Sequence, residues 1–222
     1  MAGLRFSSMS LNTMGKQSPR RIGALLFQDF ELLDVFGPLE MFTLLQERGE
    51  IEIIMVAQQP GPVTSVCGPA CVATVDFGNC PALDVLLVPG GQGTRQQVSN
   101  PTLLSFLRHL YPDLEFLASI CTGAGLLAAA GLLNGKRATS NKQSFAWVVS
   151  QGSHVTWIPE ARWVEDGNII TAGGIAAGMD MALRLVERLA GADMANLTAQ
   201  ATEYDWHRDP DWDPFARQAG LV

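Results

Sequence analysis

Short, almost wholly apolar runs alternate with amphipathic stretches along most of this chain. Ile22–Phe27 (IGALLF), Ile51–Ala57 (IEIIMVA), Asp84–Val88 (DVLLV) and Phe116–Ile120 (FLASI) are the apolar runs. Runs this short and this apolar are the pattern of strands covered on both faces. Between them the apolar spacing lengthens to that of helices. Gly37-Pro38 starts one helix, with proline in the first turn, where its missing N–H costs nothing; Leu39, Phe42 and Leu45 form its stripe and Gly49 ends it. Asn100-Pro101 caps another that runs to about Leu110. Thr122–Ala130, Lys142–Ser150, Ile175–Leu189 and Ala192–Glu203 supply the rest.

Prolines and glycines between Gln59 and Pro81 cut that segment into short β pieces, read as an antiparallel excursion. Arg137–Ser140, His154–Ile158 and Ala161–Thr171 add short strands, the last folded into a hairpin at Asp166-Gly167-Asn168. Strands that alternate with helices predict an α/β fold. Its form is a three-layer sandwich with a mostly parallel, flavodoxin-like central sheet and right-handed crossovers. The expected organisation is one domain over residues 21–205, a disordered extension over residues 1–20, and a Trp- and Asp-rich tail over residues 206–222.

Composition narrows the function classes. Of 222 residues, 47% are hydrophobic and 17% charged, which fits a globular core rather than a disordered chain. A net charge of −7 argues against nucleic acid, which needs a basic face. No apolar run reaches the ~18–20 residues that span a bilayer, so no membrane partner is expected. Cys67, Cys71, Cys80 and Cys121 include no C-x-x-C pair, and no secretory signal is visible, so reduced thiols in a cytoplasm are expected. Met1–Arg21 carries four basic residues and no acid, a composition that overlaps with organellar transit peptides. No cofactor or metal constellation stands out.

In a parallel sheet, sites collect beyond the carboxyl ends of the strands. At one such end, FLASI runs into Cys121-Thr122-Gly123-Ala124-Gly125 and then into a helix. Small residues after the cysteine allow a sharp turn that projects the side chain, as in a nucleophile elbow. The first N–H groups of the helix would favour the thiolate. The alternative, an inert buried thiol, is the common state of a cysteine and is retained for Cys67, Cys71 and Cys80. Asp34, alone in an apolar stretch (LLDVFGP), is either a helix cap or a functional acid. If it faces Cys121, the two would share one proton and titrate together. Gly90-Gly91 offers backbone N–H groups for negative charge on a substrate, or is simply a tight turn. His109, His154 and His207 fall in positions with no link to Cys121.

These motifs together resemble the PfpI/ThiJ superfamily of glutamine-amidotransferase-like proteins, over roughly Arg21 to Glu203. The matching segments are Leu33–Pro38, Val88–Gly91, Ser119–Ala124, Gly131–Thr139 and Thr171–Asp180. Within the superfamily the likeness is to the isocyanide hydratase branch. It implies a homodimer with a small-molecule substrate, in which Cys121 attacks an isocyanide, Asp34 moves the proton and Thr122 assists. Gly90, Gly91 and Gly123 would then border the substrate, and Val35 and Phe36 would line its pocket. Many superfamily members carry histidine after the strand near Thr139, where this chain has Asn141. The other activities the resemblance allows are a glyoxalase or deglycase, an oxidative-stress thiol sensor, and a ligand-binding module like those of AraC-type regulators.

Overall fold

The computed structural model describes residues 18–222. Chain order runs β1 (Arg20–Leu25), α1 (Leu32–Glu40), α2 (Thr43–Glu47), β2 (Ile51–Ala57), β3 (Gly61–Thr64), β4 (Ala70–Ala73), β5 (Val75–Asp76) and β6 (Val85–Val88). It continues with α3 (Thr94–Gln97), α4 (Pro101–Leu110), β7 (Phe116–Ser119), α5 (Gly123–Ala129), β8 (Arg137–Ala138), α6 (Phe145–Val149) and β9 (Thr156–Trp157). The last elements are β10 (Trp163–Asp166), β11 (Ile169–Ala172), α7 (Ala177–Ala190), α8 (Ala192–Ala201) and α9 (Pro214–Gln218).

Seven strands form the central sheet in the order β10-β11-β7-β6-β1-β2-β5, parallel except for the antiparallel edge strand β10. The step from β1 to β2 goes one way along the sheet, and the steps from β6 to β7 to β11 go the other. Right-handed crossovers therefore place α1 on one face and α4 and α5 on the opposite face. Helix packing follows that division, with α1 against α7 and α7 against α8, while α3, α4 and α6 pack on α5. The expected three-layer α/β sandwich is the observed one.

Asn100 caps α4 as expected: its side chain accepts from the N–H groups of Thr102 at 3.1 Å and Leu103 at 3.4 Å. The antiparallel excursion is the β3–β4 hairpin, a separate two-stranded sheet. The hairpin at Asp166-Gly167-Asn168 is β10–β11.

Two expectations change. Residues 1–17 of the extension lie outside the described residues, whereas Arg20 already pairs with Ile51 in the sheet. The first helix begins at Leu32, not Gly37, and Pro38 sits inside it. Glu31 is its N-cap and makes no side-chain cap bond, so Asp34 lies in the first turn and is not the cap.

The tail returns to the body through buried charge. Asp180 of α7 takes Arg162 at 2.6 Å, the Tyr204 hydroxyl at 3.0 Å and the His207 N–H at 2.9 Å. Asp213 caps α9, accepting from the Phe215 N–H at 3.1 Å, and lies 3.8 Å from the buried ammonium of Lys142. Tyr204 and Trp206 pack on the core, whereas Trp212 and Phe215 are about half exposed.

Candidate active site

Strand register brings the site together. Val88 of β6 lies beside Ser119 of β7, and Ser119 beside Thr171 of β11. The residues just past these aligned ends therefore converge: Pro89-Gly90-Gly91, Ile120-Cys121-Thr122 and Gly173-Gly174. Cys121 adopts φ 55°, a left-handed conformation that costs a non-glycine residue of order ~1–3 kcal/mol. Both of its backbone groups are pinned: its N–H donates to Gly173 O at 3.1 Å, and its carbonyl accepts from Ser140 Oγ at 2.8 Å. Gly123 N–H closes the turn on Ile120 O at 2.9 Å. This is the expected elbow, with α5 leaving immediately behind it.

Glycines flank the cysteine because nothing larger fits. A Cβ on Gly90 would lie 2.5 Å from Thr122 N and 2.9 Å from Cys121 Cβ. A Cβ on Gly174, on the other flank, would lie 2.7 Å from Cys121 Sγ and 2.6 Å from Asn141 Nδ2. On Gly123 it would strike Val88 O at 2.3 Å.

Asp34 is fully buried. Its Oδ2 accepts from the Gly90 N–H at 2.8 Å, while Oδ1 is buried with no hydrogen-bond partner. Burial pushes this carboxyl well above the usual carboxylate range, and Glu31 adds to the rise; the Gly90 N–H and the Cys121 side chain act against it. Burial, then the charge of Asp34, pushes the Cys121 thiol up. The Thr122 N–H and hydroxyl pull it down. The expected depression by the helix N-terminus is therefore outweighed, because desolvating a sulfur anion beside a carboxylate costs more than a few N–H dipoles return. Burial raises the proton affinity of both groups, and the Asp34 charge raises that of Cys121 further, while the Cys121 side chain favours the Asp34 carboxylate, so the two titrate as a coupled pair.

The glycine N–H groups are not the free donors expected. Gly90 N–H is spent on Asp34, and Gly91 N–H donates to Thr122 Oγ1 at 3.1 Å. Their contribution is close approach and the placing of Asp34 and Thr122. Thr94 Oγ1 also donates to Thr122 Oγ1 at 3.1 Å, and Arg95 Nη1 donates to Thr94 Oγ1 at 3.1 Å. Arg95 lies 3.9 Å over the Trp147 ring and donates from Nη2 to Ser144 Oγ at 3.0 Å. Burial lowers its proton affinity and the nearby Cys121 sulfur raises it. Thr94, Arg95, Ser140 and Ser144 escaped the sequence reading because none sits in a motif; only the fold carries them to the elbow.

Val35 packs into the core, whereas Phe36 is exposed, so only Phe36 of that pair is free to meet a substrate. His109 and His154 are exposed, and His207 docks the tail on Asp180. Cys67, Cys71 and Cys80 are free thiols away from the elbow. Among the described residues, no group of three or more His, Cys, Asp or Glu side chains could hold a metal ion. Nor is any helix among them long and apolar enough to cross a membrane.

A parallel sheet that ends in a strained cysteine elbow beside a buried acid defines a class, and sequence comparison agrees. The chain belongs to the DJ-1/PfpI family, whose model matches residues 20–188. It is 38% identical over 185 residues to isonitrile hydratase of Pseudomonas putida, covering 83% of this chain and 78% of that protein. Deglycase PH1704 of Pyrococcus horikoshii is 27% identical over 150 residues, covering 67% of this chain and 86% of that one. Among solved structures, a ThiJ/PfpI family protein from Pseudomonas syringae superposes with a TM-score of 0.80 at 31% identity, covering 99% of this chain and 92% of the other.

Proposed function

We propose that this protein is a lyase that adds water to isocyanides (isonitriles), giving N-substituted formamides through a covalent adduct on Cys121. The observation that carries the reading is the pair itself: a nucleophilic sulfur on an elbow, next to a buried carboxyl whose Oδ1 has no hydrogen-bond partner. The likeness to isonitrile hydratase supports it.

The chemistry requires one mobile proton. An isocyanide's terminal carbon accepts a nucleophile and then carries the electron pair that must be protonated. Cys121 Sγ forms the C–S bond, and Asp34 delivers to that same carbon the proton the pair had held. The product is a thioimidate, S–CH=N–R. Water then adds to the thioimidate carbon, Asp34 taking a proton from it. The C=N electron pair moves to nitrogen, which takes up the proton that Asp34 has just removed from the water. The C–S bond then breaks with its electrons going to sulfur, the hydroxyl proton passes to Asp34 as the C=O forms, and the formamide leaves with the pair again holding one proton. A pair with a single shared proton serves both halves, with Asp34 as acid and then base.

Access fits the substrate. Cys121 is only 7% exposed, so a slender, unbranched terminal carbon reaches the sulfur more readily than a branched carbonyl. Phe36 and Ile175, both exposed large hydrophobics, are available to the substituent. The assay follows the absorbance change as an aryl isocyanide is converted to its formamide. Turnover by the wild type, lost in Cys121→Ala and in Asp34→Asn, is expected. Wild-type turnover no faster than Cys121→Ala, with methylglyoxal consumed instead, would replace the reading with a glyoxalase or deglycase. We further infer that the chain acts as a homodimer in the cytoplasm, the dimer being open to test by sedimentation.

A further inference from the structure

Gly90 and Gly91 have spent their N–H groups, so a donor for the substrate must come from elsewhere. The side opposite Asp34 supplies one. Asn141 Oδ1 accepts from the Ser144 N–H at 2.9 Å. A backbone N–H can only donate, so this bond fixes the amide's orientation and turns Nδ2 the other way. There it meets the nucleophile: Nδ2 and Cys121 Sγ flank the same point, 2.6 and 2.7 Å from a Cβ placed on Gly174. No protein group accepts a hydrogen bond from Asn141 Nδ2 among the described residues. Asn141 and Gly174 are both partly exposed, so this flank of the sulfur is not sealed in the core.

We infer that Asn141 is a further catalytic residue, whose Nδ2–H donates to the substrate's nitrogen in the adduct on Cys121. The inference rests on the hydratase reading and deepens it. Asp34 and Asn141 then divide the substrate between them. Asp34, held on the Gly90 flank, carries the protons. Asn141, held on the Gly174 flank, holds the nitrogen. When water adds to the thioimidate carbon, the C=N pair shifts onto that nitrogen, and a fixed donor there stabilises the charge as it builds. Asn141 itself gains and loses no proton. An amide suits this position because it stays neutral across the working pH range. A neutral imidazole there would compete with the substrate for the proton of the Cys121–Asp34 pair.

The test uses Asn141→Asp and Asn141→Ala in the full chain, with an aryl isocyanide. Asn141→Asp keeps the oxygen that accepts from Ser144 N–H and removes the N–H donor, so it preserves the local turn if Asn141→Ala does not fold. A loss of ~10²-fold or more in kcat is expected, the usual cost of removing one such donor. Intact-mass spectrometry should show Cys121 carrying one added isocyanide during turnover, because the hydrolytic half has slowed. The rate of Asn141→Asp relative to wild type should recover as pH falls and the introduced carboxyl gains an O–H. Asn141→Asp within about threefold of an active wild type would overturn the role of Asn141 alone. So would a slow variant with no adduct and no recovery at low pH, which marks a structural role. A wild type that hydrates no isocyanide would instead remove the hydratase reading, and this inference with it.

Discussion

Gly90→Ala is the sharpest probe of the elbow. Gly90 does not have a left-handed φ, so alanine brings no backbone strain and acts only through its methyl group. That methyl would lie 2.5 Å from Thr122 N, 2.6 Å from Thr122 Oγ1 and 2.9 Å from Cys121 Cβ, against an ordinary contact of 3.4–4 Å. The nearest atom is backbone and cannot swing aside, so the turn must give by about 1 Å. Overpacking of this kind costs ~1–3 kcal/mol. For a domain of this size each kcal/mol lowers Tm by ~2–4 °C. The larger effect falls on chemistry, because a ~1 Å misplacement of reacting groups costs ~10²-fold in rate. Gly90 N–H also anchors Asp34, so the methyl disturbs both members of the pair. Two assays read it, isocyanide turnover and the rate of iodoacetamide alkylation at Cys121; the second depends on no assigned substrate. Gly135→Ala is the control: Gly135 has φ 75° and open space around it, so alanine there should cost stability but leave both rates unchanged. Wild-type Tm, turnover and alkylation in Gly90→Ala would refute the account of the elbow.

Three further outcomes follow from the buried charges. The folded state holds the Asp34 proton more tightly than the unfolded chain does, so this group's contribution to stability falls as pH rises above ~4 towards its raised folded value. Asp34→Asn should therefore raise Tm at pH 8 by a few degrees while abolishing turnover, and should speed Cys121 alkylation because a negative charge beside the sulfur is gone. Burial lowers Lys142 to about 8, with Asp213 opposing the fall. Between about pH 8 and the unfolded value near 10.5, the native state has released a proton that the unfolded chain still binds, so this contribution to stability rises with pH. Denaturant melts across that window should show a rise that Lys142→Met lacks. Asp213→Ala leaves the buried Lys142 ammonium without its carboxylate and uncaps α9, and should cost ~3 kcal/mol in thermal denaturation.

Whatever depended on neighbours along the chain was readable before folding. The apolar runs marked β2, β6 and β7 because burial on both faces requires it locally. Asn100 announced its helix because a cap acts within three residues. The small residues after Cys121 announced the elbow because a sharp turn admits nothing else. The first helix was misplaced because Gly37-Pro38 looks like a start, yet Pro38 is accommodated within α1. The site needed the sheet. Asp34, Gly90, Cys121, Asn141 and Gly174 are spread over most of the chain; the register of β6, β7 and β11 sets Gly90, Cys121 and Gly174 side by side, and the packing of α1 and of the segment after β8 brings in Asp34 and Asn141. Which N–H groups were already spent, which way the Asn141 amide faces, and that burial raises the thiol rather than lowering it were likewise tertiary outcomes. Hydrogen-bond partners and desolvation depend on what lies across space, and residue order along the chain does not encode that distance.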